Sequence, residues 1–535
     1  MRALMEWGLR LVVALLVALG GAVAAAAAAE KGPNIVLIVS DDMGYSDLGC
    51  YGGEIDTPNL DALALGGLRF SNYYVNNMCW PTRASLMTGL YPRSAFLSSR
   101  ASGIRPEWIT LPEALKNRGY GTYMAGKWHL SDSSQDDGPG APHHQGFDQF
   151  YGTLEGASDF FAPYGLQLNG RRVTHEWENR PDYYYTDAIT DYGIGFLEEH
   201  RQAHRGKRPF FLYLAYNAAH WPLHARPEDI ARYRGKYAMG WDELRRERHR
   251  RLKEIGMVDP AWPLTPRPPN VPAWEQEEHP DWQQRRMEVY AAQITRMDHN
   301  IGRVVARLKA MGIFDETLIL FQHDNGGCHV EYPPERTGSW TRPFTTDGRR
   351  LPIRPGNLPT VEPGPQTSFQ SYGYGWANAS NTPFRLYKQF DHEGGTRSPL
   401  IVSWPREIDS GRTGAIVRTF GHAIDMMPTL LAAAGGSDGG QGRVPFEGRS
   451  LLPAIRGRAF LGARARPLFW AHSQGRAVRF GDWKLVAYRK RPWELYYLVQ
   501  DGVELNDVAD VYPGKVREMA AWHAAWVERT RLRRP

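Results

Sequence analysis

The sequence predicts an α/β fold: a large, mixed, mostly parallel sheet sandwiched by helices, then a small antiparallel sheet with one helix. Three observations predict it. Short continuous apolar runs at residues 34–39, 122–125, 210–215, 317–321 and 400–404 read as strands buried on both faces. Helical patterns lie between them; Tyr290, Ile294, Met297, Ile301, Val304 and Leu308 recur at threes and fours and make one apolar face. After about residue 455 the rhythm changes: residues 477–486 read as two short runs around a Gly481-Asp482 turn, residues 493–498 add another, and Val516, Met519, Trp522 and Trp526 mark a last helix.

Taken in order, the chain divides into residues 1–29, 30–455 and 456–535. The first stretch carries Arg2 and Arg10, an apolar run, and then alanines that offer several A-x-A cleavage sites. It reads as a signal peptide, so the mature protein is expected to be exported, periplasmic or secreted, with no further membrane span. An uncleaved anchor is the competing reading, because residues 11–29 approach a spanning length. The remainder is large enough for one big α/β unit and a smaller one. Its composition, 42% hydrophobic and 12% aromatic, excludes global disorder. A net charge of +6 without a long lysine/arginine tract excludes a nucleic-acid surface. The one basic run, residues 245–251, is broken by Glu247 and is expected to be a solvated helix face. His299 reads as a surface or packing histidine. Residues 327–376 lack periodicity and are expected to form a substrate-selecting rim. With only Cys50, Cys79 and Cys328, no disulfide framework and no zinc spacing exist; Cys50 and Cys328 remain a candidate pair.

Ligand sites in open α/β sheets gather beyond the carboxyl ends of the strands. Asp41-Asp42 and Asp324-Asn325 each follow a predicted strand. Three carboxylates and an amide are hard oxygen donors, which favour calcium, or magnesium in its place, over zinc. Two unrelated strand-end turns are the ordinary alternative. Lys127 and His129 follow another strand, His220 a third, and Lys388 precedes Glu393-Gly394-Gly395-Thr396-Arg397. Such a set supplies the fixed donors that a tetrahedral anion needs, plus a group to protonate a leaving oxygen. Between these segments lies Cys79-Trp80-Pro81-Thr82-Arg83-Ala84-Ser85-Leu86-Met87-Thr88-Gly89. The proline and the good helix formers place Cys79 at a helix start, where backbone N–H groups favour an anion, and Arg83 one turn on could reach back to it. A buried thiol at a helix start is the plainer alternative.

The Cys79–Arg83 motif resembles the signature of the type I sulfatases, the formylglycine-dependent branch of the alkaline phosphatase-like superfamily. The resemblance extends over residues 34–52, 119–129, Gly146-Phe147-Asp148, His220-Trp221-Pro222, Asp324-Asn325-Gly326, residues 381–395, the 422–430 segment and residues 448–453. Residues 237–246 and 381–388 look most like bacterial arylsulfatases. The resemblance implies sulfate monoester hydrolysis. Cys79 would be converted by a formylglycine-generating enzyme to formylglycine, hydrated as a geminal diol. Asp41, Asp42, Asp324 and Asn325 would bind calcium, which also contacts residue 79. Arg83 would hold the diol, and Lys127, His129, His220 and Lys388 would hold the sulfate or protonate the leaving alcohol of a small-molecule or carbohydrate ester. Thr82 and His323 depart from the family pattern, which has serine or alanine at the first position and commonly serine at the second. Three other readings remain: a phosphonate monoester or phosphodiester hydrolase of the same fold, a non-catalytic carbohydrate-binding homologue, and a cysteine hydrolase using Cys79 as a thiolate.

Overall fold

The computed structural model describes residues 32–96, 103–335, 345–346, 353–435, 446–458, 466–472 and 474–532. Residues 1–29, read above as a signal peptide, and part of the expected rim lie outside the described residues. The main sheet contains β1 (Asn34–Ser40), β2 (Leu68–Tyr74), β3 (Gly121–Lys127), β4 (Gln149–Thr153), β5 (Gln167–Leu168), β6 (Arg171–Arg172), β7 (Phe210–Ala215), β8 (Thr317–His323), β11 (Arg397–Ser403), β12 (Ala415–Val417) and β13 (Gly421–His422); β9 (Arg354–Pro355) and β10 (Ser368–Phe369) form a separate pair. The order across the sheet is β12-β2-β11-β8-β1-β7-β3-β4-β5-β6, with β13 beside β2.

β1 lies at the centre, parallel to β7 on one side and to β8 on the other. Its side chains alternate between two cores: Val36 and Ile38 join one, while Ile35, Leu37 and Val39 join the other. Each such residue contributes about 1.5–3 kcal/mol by leaving water, and burial on both faces explains the unbroken apolar run. The first core is closed by α3 (Tyr185–His204) and α5 (Pro280–Ala310), whose Tyr290, Ile294, Met297, Ile301, Val304 and Leu308 are all buried. The second is closed by α2 (Cys79–Thr88) and α6 (Met426–Ala433). His299 is exposed, as expected.

One strand reverses, as a mixed sheet allows, and two readings need correction. β11 runs antiparallel to both β2 and β8. Its carboxyl end, with Arg406, therefore faces the opposite edge, near Asn34 and Glu316, and its amino end delivers residues 393–397 to the site edge. The basic run is not a solvated face: on α4 (Gly240–Glu254) Arg245, Arg248 and His249 are buried while Arg246 and Arg250 are exposed. Cys50 and Cys328 are both free. The Cys50 N–H donates to Asp61 at 2.7 Å, on α1 (Pro58–Leu65), whereas Cys328 is buried and its thiol is pushed up by burial and by the nearby Asp42 charge.

The C-terminal sheet holds β14 (Leu468–Trp470), β15 (Gly475–Phe480), β16 (Trp483–Tyr488) and β17 (Glu494–Tyr497) in sequence order, all antiparallel. Gly481, at φ 57, supplies the left-handed turn between β15 and β16. One face packs on α7 (Pro513–Leu532), with Phe469 and Trp526 stacked at 4.9 Å. The other face meets Tyr74 of β2, and Trp470 Nε1 donates to the Val75 carbonyl at 2.8 Å. No helix among the described residues is long and apolar enough to cross a membrane.

Candidate active site

Strand order assembles the site. Ser40 and His323 stand opposite each other in the β1–β8 register, so Asp41-Asp42 and Asp324-Asn325 emerge side by side. β3, next but one to β1, ends on Lys127, and β7 leads to His220. β2 leads into α2, whose first residue is Cys79. Met78 caps that helix without a side-chain bond, which leaves its first N–H groups to the site.

Arg83, fully buried, is the strut. Its Nε and Nη2 donate to Asp324 Oδ2 at 3.2 and 2.8 Å, Nη2 lies 3.6 Å from Asp41 Oδ2, and Nη1 donates to the Lys127 carbonyl at 2.9 Å. Lys127 Nζ donates to Asp41. Lys388 Nζ donates to Asp42 Oδ1 at 2.6 Å, and His220 Nε2 stands 3.3 Å from Asp42 Oδ2. Asn325 Nδ2 donates to Asp42 Oδ1 at 2.7 Å. Ligand atoms of Asp41, Cys79 and Asp324 lie within 4.8 Å of one another, as do those of Asp41, Asp42 and His220. The structure thus brings together Asp41, Asp42, Cys79, Arg83, Lys127, His220, Asp324, Asn325 and Lys388. His129 is buried at the end of β3 with left-handed backbone (φ 61); its Nε2 packs so closely on Gly156 that a Cβ there would stand 2.3 Å away.

Three carboxylates and the side chains of Arg83, Lys127 and Lys388 share this buried space. Burial pushes the Asp41 carboxyl up, but Lys127, His220 and Arg83 together hold it below the usual range. Asp42 is likewise held down, by Lys388 and His220 against burial. Asp324 goes the other way, to about 7, because burial and the Asp41 charge outweigh Arg83. Burial lowers His220 to about 4. It also raises the Cys79 thiol, and Asp41 and Asp324 add to that while Lys127 and Lys388 oppose it. A thiol held protonated in this way is a poor nucleophile, which counts against the cysteine-hydrolase reading. The donor set fits a hard divalent cation. Asp41 Oδ1, Asp42 Oδ2 and Asn325 Oδ1 are buried and accept no hydrogen bond, and Asn325 spends its amide N–H on Asp42 and Gly326, which turns its oxygen free. Unpaired buried oxygens are costly unless a cation or proton satisfies them.

The two departures from the family pattern have structural partners. Thr82 Oγ1 accepts from the Asn76 N–H at 2.9 Å and so ties down the approach to Cys79. His323 Nδ1 meets the Met43 carbonyl at 3.1 Å, steadying the turn after Asp42. Residues that carry no signal in the sequence also support the site. Asp47 Oδ2 accepts from the Gly44 N–H and the Tyr290 hydroxyl, each at 2.7 Å, and Tyr213 OH lies 3.4 Å from Arg83 Nη1. Asp47 sits in a turn and Tyr213 inside a strand run, where spacing does not mark them.

A sulfatase family model matches residues 33–437. The chain belongs to the sulfatase family. This sulfatase is 31% identical over 541 residues to an uncharacterized sulfatase of Schizosaccharomyces pombe, covering 92% of this chain and 93% of that one. It is 32% identical over 445 residues to an arylsulfatase of Klebsiella aerogenes, covering 76% and 88% respectively. Among solved structures, the complex of Ps i-CgsB with k-i-k-neocarrahexaose superposes with a TM-score of 0.65 at 26% identity, over 93% of each chain. The type I sulfatase membership and the alkaline phosphatase-like fold expected from the sequence are thereby met.

Proposed function

We propose that this sulfatase hydrolyses sulfate monoesters in the manner of an arylsulfatase, releasing an alcohol or phenol and inorganic sulfate, with residue 79 as formylglycine. The observation that carries the reading is the set of three buried, unbonded oxygens on Asp41, Asp42 and Asn325 beside Cys79, inside a cluster of three carboxylates and three cations. That charge is balanced as it stands, so one divalent cation makes the site net positive and suited to an anionic sulfate ester. Asp41, Asp42, Asp324 and Asn325 would hold calcium, or magnesium in its place. When bound, the ion supplies Lewis-acid polarisation of a sulfate oxygen. Formylglycine supplies a hydrated aldehyde that can release sulfate without water attacking sulfur.

The remaining work falls to the chain's own side chains. Arg83 orients residue 79 and fixes the Asp324 carboxylate. Lys127, His220 and Lys388 ring the place where sulfate oxygens would lie, and fixed donors in a dry site stabilise developing charge at no cost of reorganisation. His129 and His220 are the candidates for protonating the leaving oxygen. Residues 30–455 form the catalytic unit and residues 456–535 the C-terminal one. The neocarrahexaose bound by a structural relative supports a carbohydrate sulfate as one substrate class. Residues 1–29 would direct export, and a formylglycine-generating enzyme would act before folding buries residue 79.

The experiment combines three measurements. The mass of the peptide 76–83 should fall by the cysteine-to-aldehyde difference. Aryl sulfate should be turned over faster than aryl phosphonate ester. Chelation should abolish activity and calcium should restore it. An active enzyme with an unmodified thiol, or a preference for the phosphonate, would overturn the proposal.

A further inference from the structure

Lys388 sits in a segment that does not hold its own shape. Leu386 and Gln389, on either side, both carry left-handed backbone, φ 66 and φ 78, which non-glycine residues keep only where surrounding contacts impose it. The main sheet side supplies two such contacts: Lys388 N–H donates to the Gly327 carbonyl at 3.2 Å and Gln389 N–H to the Asn77 carbonyl at 2.7 Å. The segment then folds back on itself, with Gly394 N–H donating to the Arg385 carbonyl at 3.1 Å. A Cβ at Gly394 would stand 2.3 Å from the Leu386 oxygen, and one at Gly395 2.0 Å from the Phe390 oxygen. At that spacing the conformation of residues 385–390 follows that of residues 393–395.

Residues 393–395 are in turn fixed by a buried charge cluster shared with the C-terminal sheet. Glu393 Oε2 accepts from the Tyr74 hydroxyl at 2.8 Å and from Arg397 Nη1 at 3.1 Å. Its Oε1 accepts from Lys484 Nζ, on β16, at 2.7 Å. The Glu393 N–H donates to Glu504 Oε2 at 2.8 Å, and Lys484 also pairs with Glu504 Oε1 at 2.9 Å. Lys484, Glu393 and Glu504 are all fully buried. Arg385 Nη1 donates to the Glu504 carbonyl at 2.8 Å and to the Tyr496 hydroxyl at 2.9 Å. Lys484 therefore stands between two carboxylates that would otherwise repel across the fold-back.

We propose that Lys484 of the C-terminal sheet is a positioning residue for Lys388, acting through Glu393 and Glu504. This rests on the reading of Lys388 as a sulfate-binding group. It makes the C-terminal sheet part of the catalytic apparatus without its touching substrate.

A double-mutant cycle on the full-length enzyme tests it, with aryl sulfate as substrate and inorganic sulfate as inhibitor. Lys484→Met should lower kcat/KM by about ten-fold or more and weaken sulfate inhibition in parallel, while Lys484→Arg restores most of both. In a Lys388→Ala background the same substitution should cost less than about two-fold, because positioning an absent side chain has no effect. An equal loss in both backgrounds would overturn the proposal and leave Lys484 a merely structural residue. Should Lys484→Met fail to fold, the cycle with Glu504→Gln, which keeps the Lys484–Glu393 pair, measures the same coupling and is decided by the same two outcomes. If Lys388→Ala alone retains wild-type kcat/KM and sulfate inhibition, the sulfate-binding reading of Lys388 fails, and the proposal falls with it.

Discussion

Cys79 is 3% exposed and lies at the first turn of α2, so any side chain placed there meets the same donors. This makes Cys79→Ser an informative substitution. A serine hydroxyl can attack a bound sulfate ester, with Lys127 and Lys388, the sulfate-binding groups proposed above, still present. It offers one hydroxyl where hydrated formylglycine offers two, so the resulting ester has no internal route of release. The expected outcome is accumulation of an enzyme carrying a covalent sulfate, with turnover reduced by at least about 100-fold, or ~2.7 kcal/mol. Intact mass after incubation with an aryl sulfate reads the first and steady-state kinetics the second; sustained wild-type turnover would discard the mechanism.

At the scale of elements, what the sequence revealed depended on whether polarity followed burial. β1, β7 and β8 carry unbroken apolar runs at residues 35–39, 210–215 and 318–321 and lead into acid, amide or histidine, so both the strands and their candidate site residues were legible. β2 reads Leu68-Arg69-Phe70-Ser71-Asn72-Tyr73-Tyr74, a mixed run that gave no strand signal, although it leads straight to Cys79. α4 failed for the converse reason. Arg245, Arg248, His249 and Leu252 share a face with Trp241 and Leu244 at helical spacing, but the charge of the run concealed it. Arg248, fully buried, reaches Asp47 Oδ1 at 2.7 Å and Glu54 Oε2 at 2.7 Å, and Asp47 in turn steadies the turn after Asp41-Asp42. Removing one partner of such a buried group leaves charges unpaired. Arg248→Met is expected to cost about 3–5 kcal/mol, whereas Arg250→Ala on the exposed face should leave the denaturation midpoint nearly unchanged. Denaturant melts of the two variants decide it; equal effects would return the whole run to the surface.

The whole molecule is joined where the C-terminal sheet meets residues 385–397, and Glu494 of β17 gives that junction a pH signature. Its Oε2 lies 3.1 Å from His392 Nε2 and accepts from the Tyr496 hydroxyl at 2.6 Å. Burial alone would raise its pKa, yet the bond and charge of His392, with Tyr496 and Arg385, bring it down from 4.5 to about 2. A carboxylate depressed in this way stabilises the folded state fully above its unfolded value. That contribution is lost as pH falls from about 4.5 towards 2, because the unfolded chain binds the proton first. With the side chain 24% exposed, solvent trims the contribution to on the order of 2 kcal/mol. Glu494→Gln keeps the shape and removes the titration. The wild type should therefore melt above the variant at pH 6, and the gap should close steadily below about pH 4.5. Parallel melting curves across that window would show that the junction is held by its apolar face alone, through Trp470, Leu468 and Tyr74, and not by its charges.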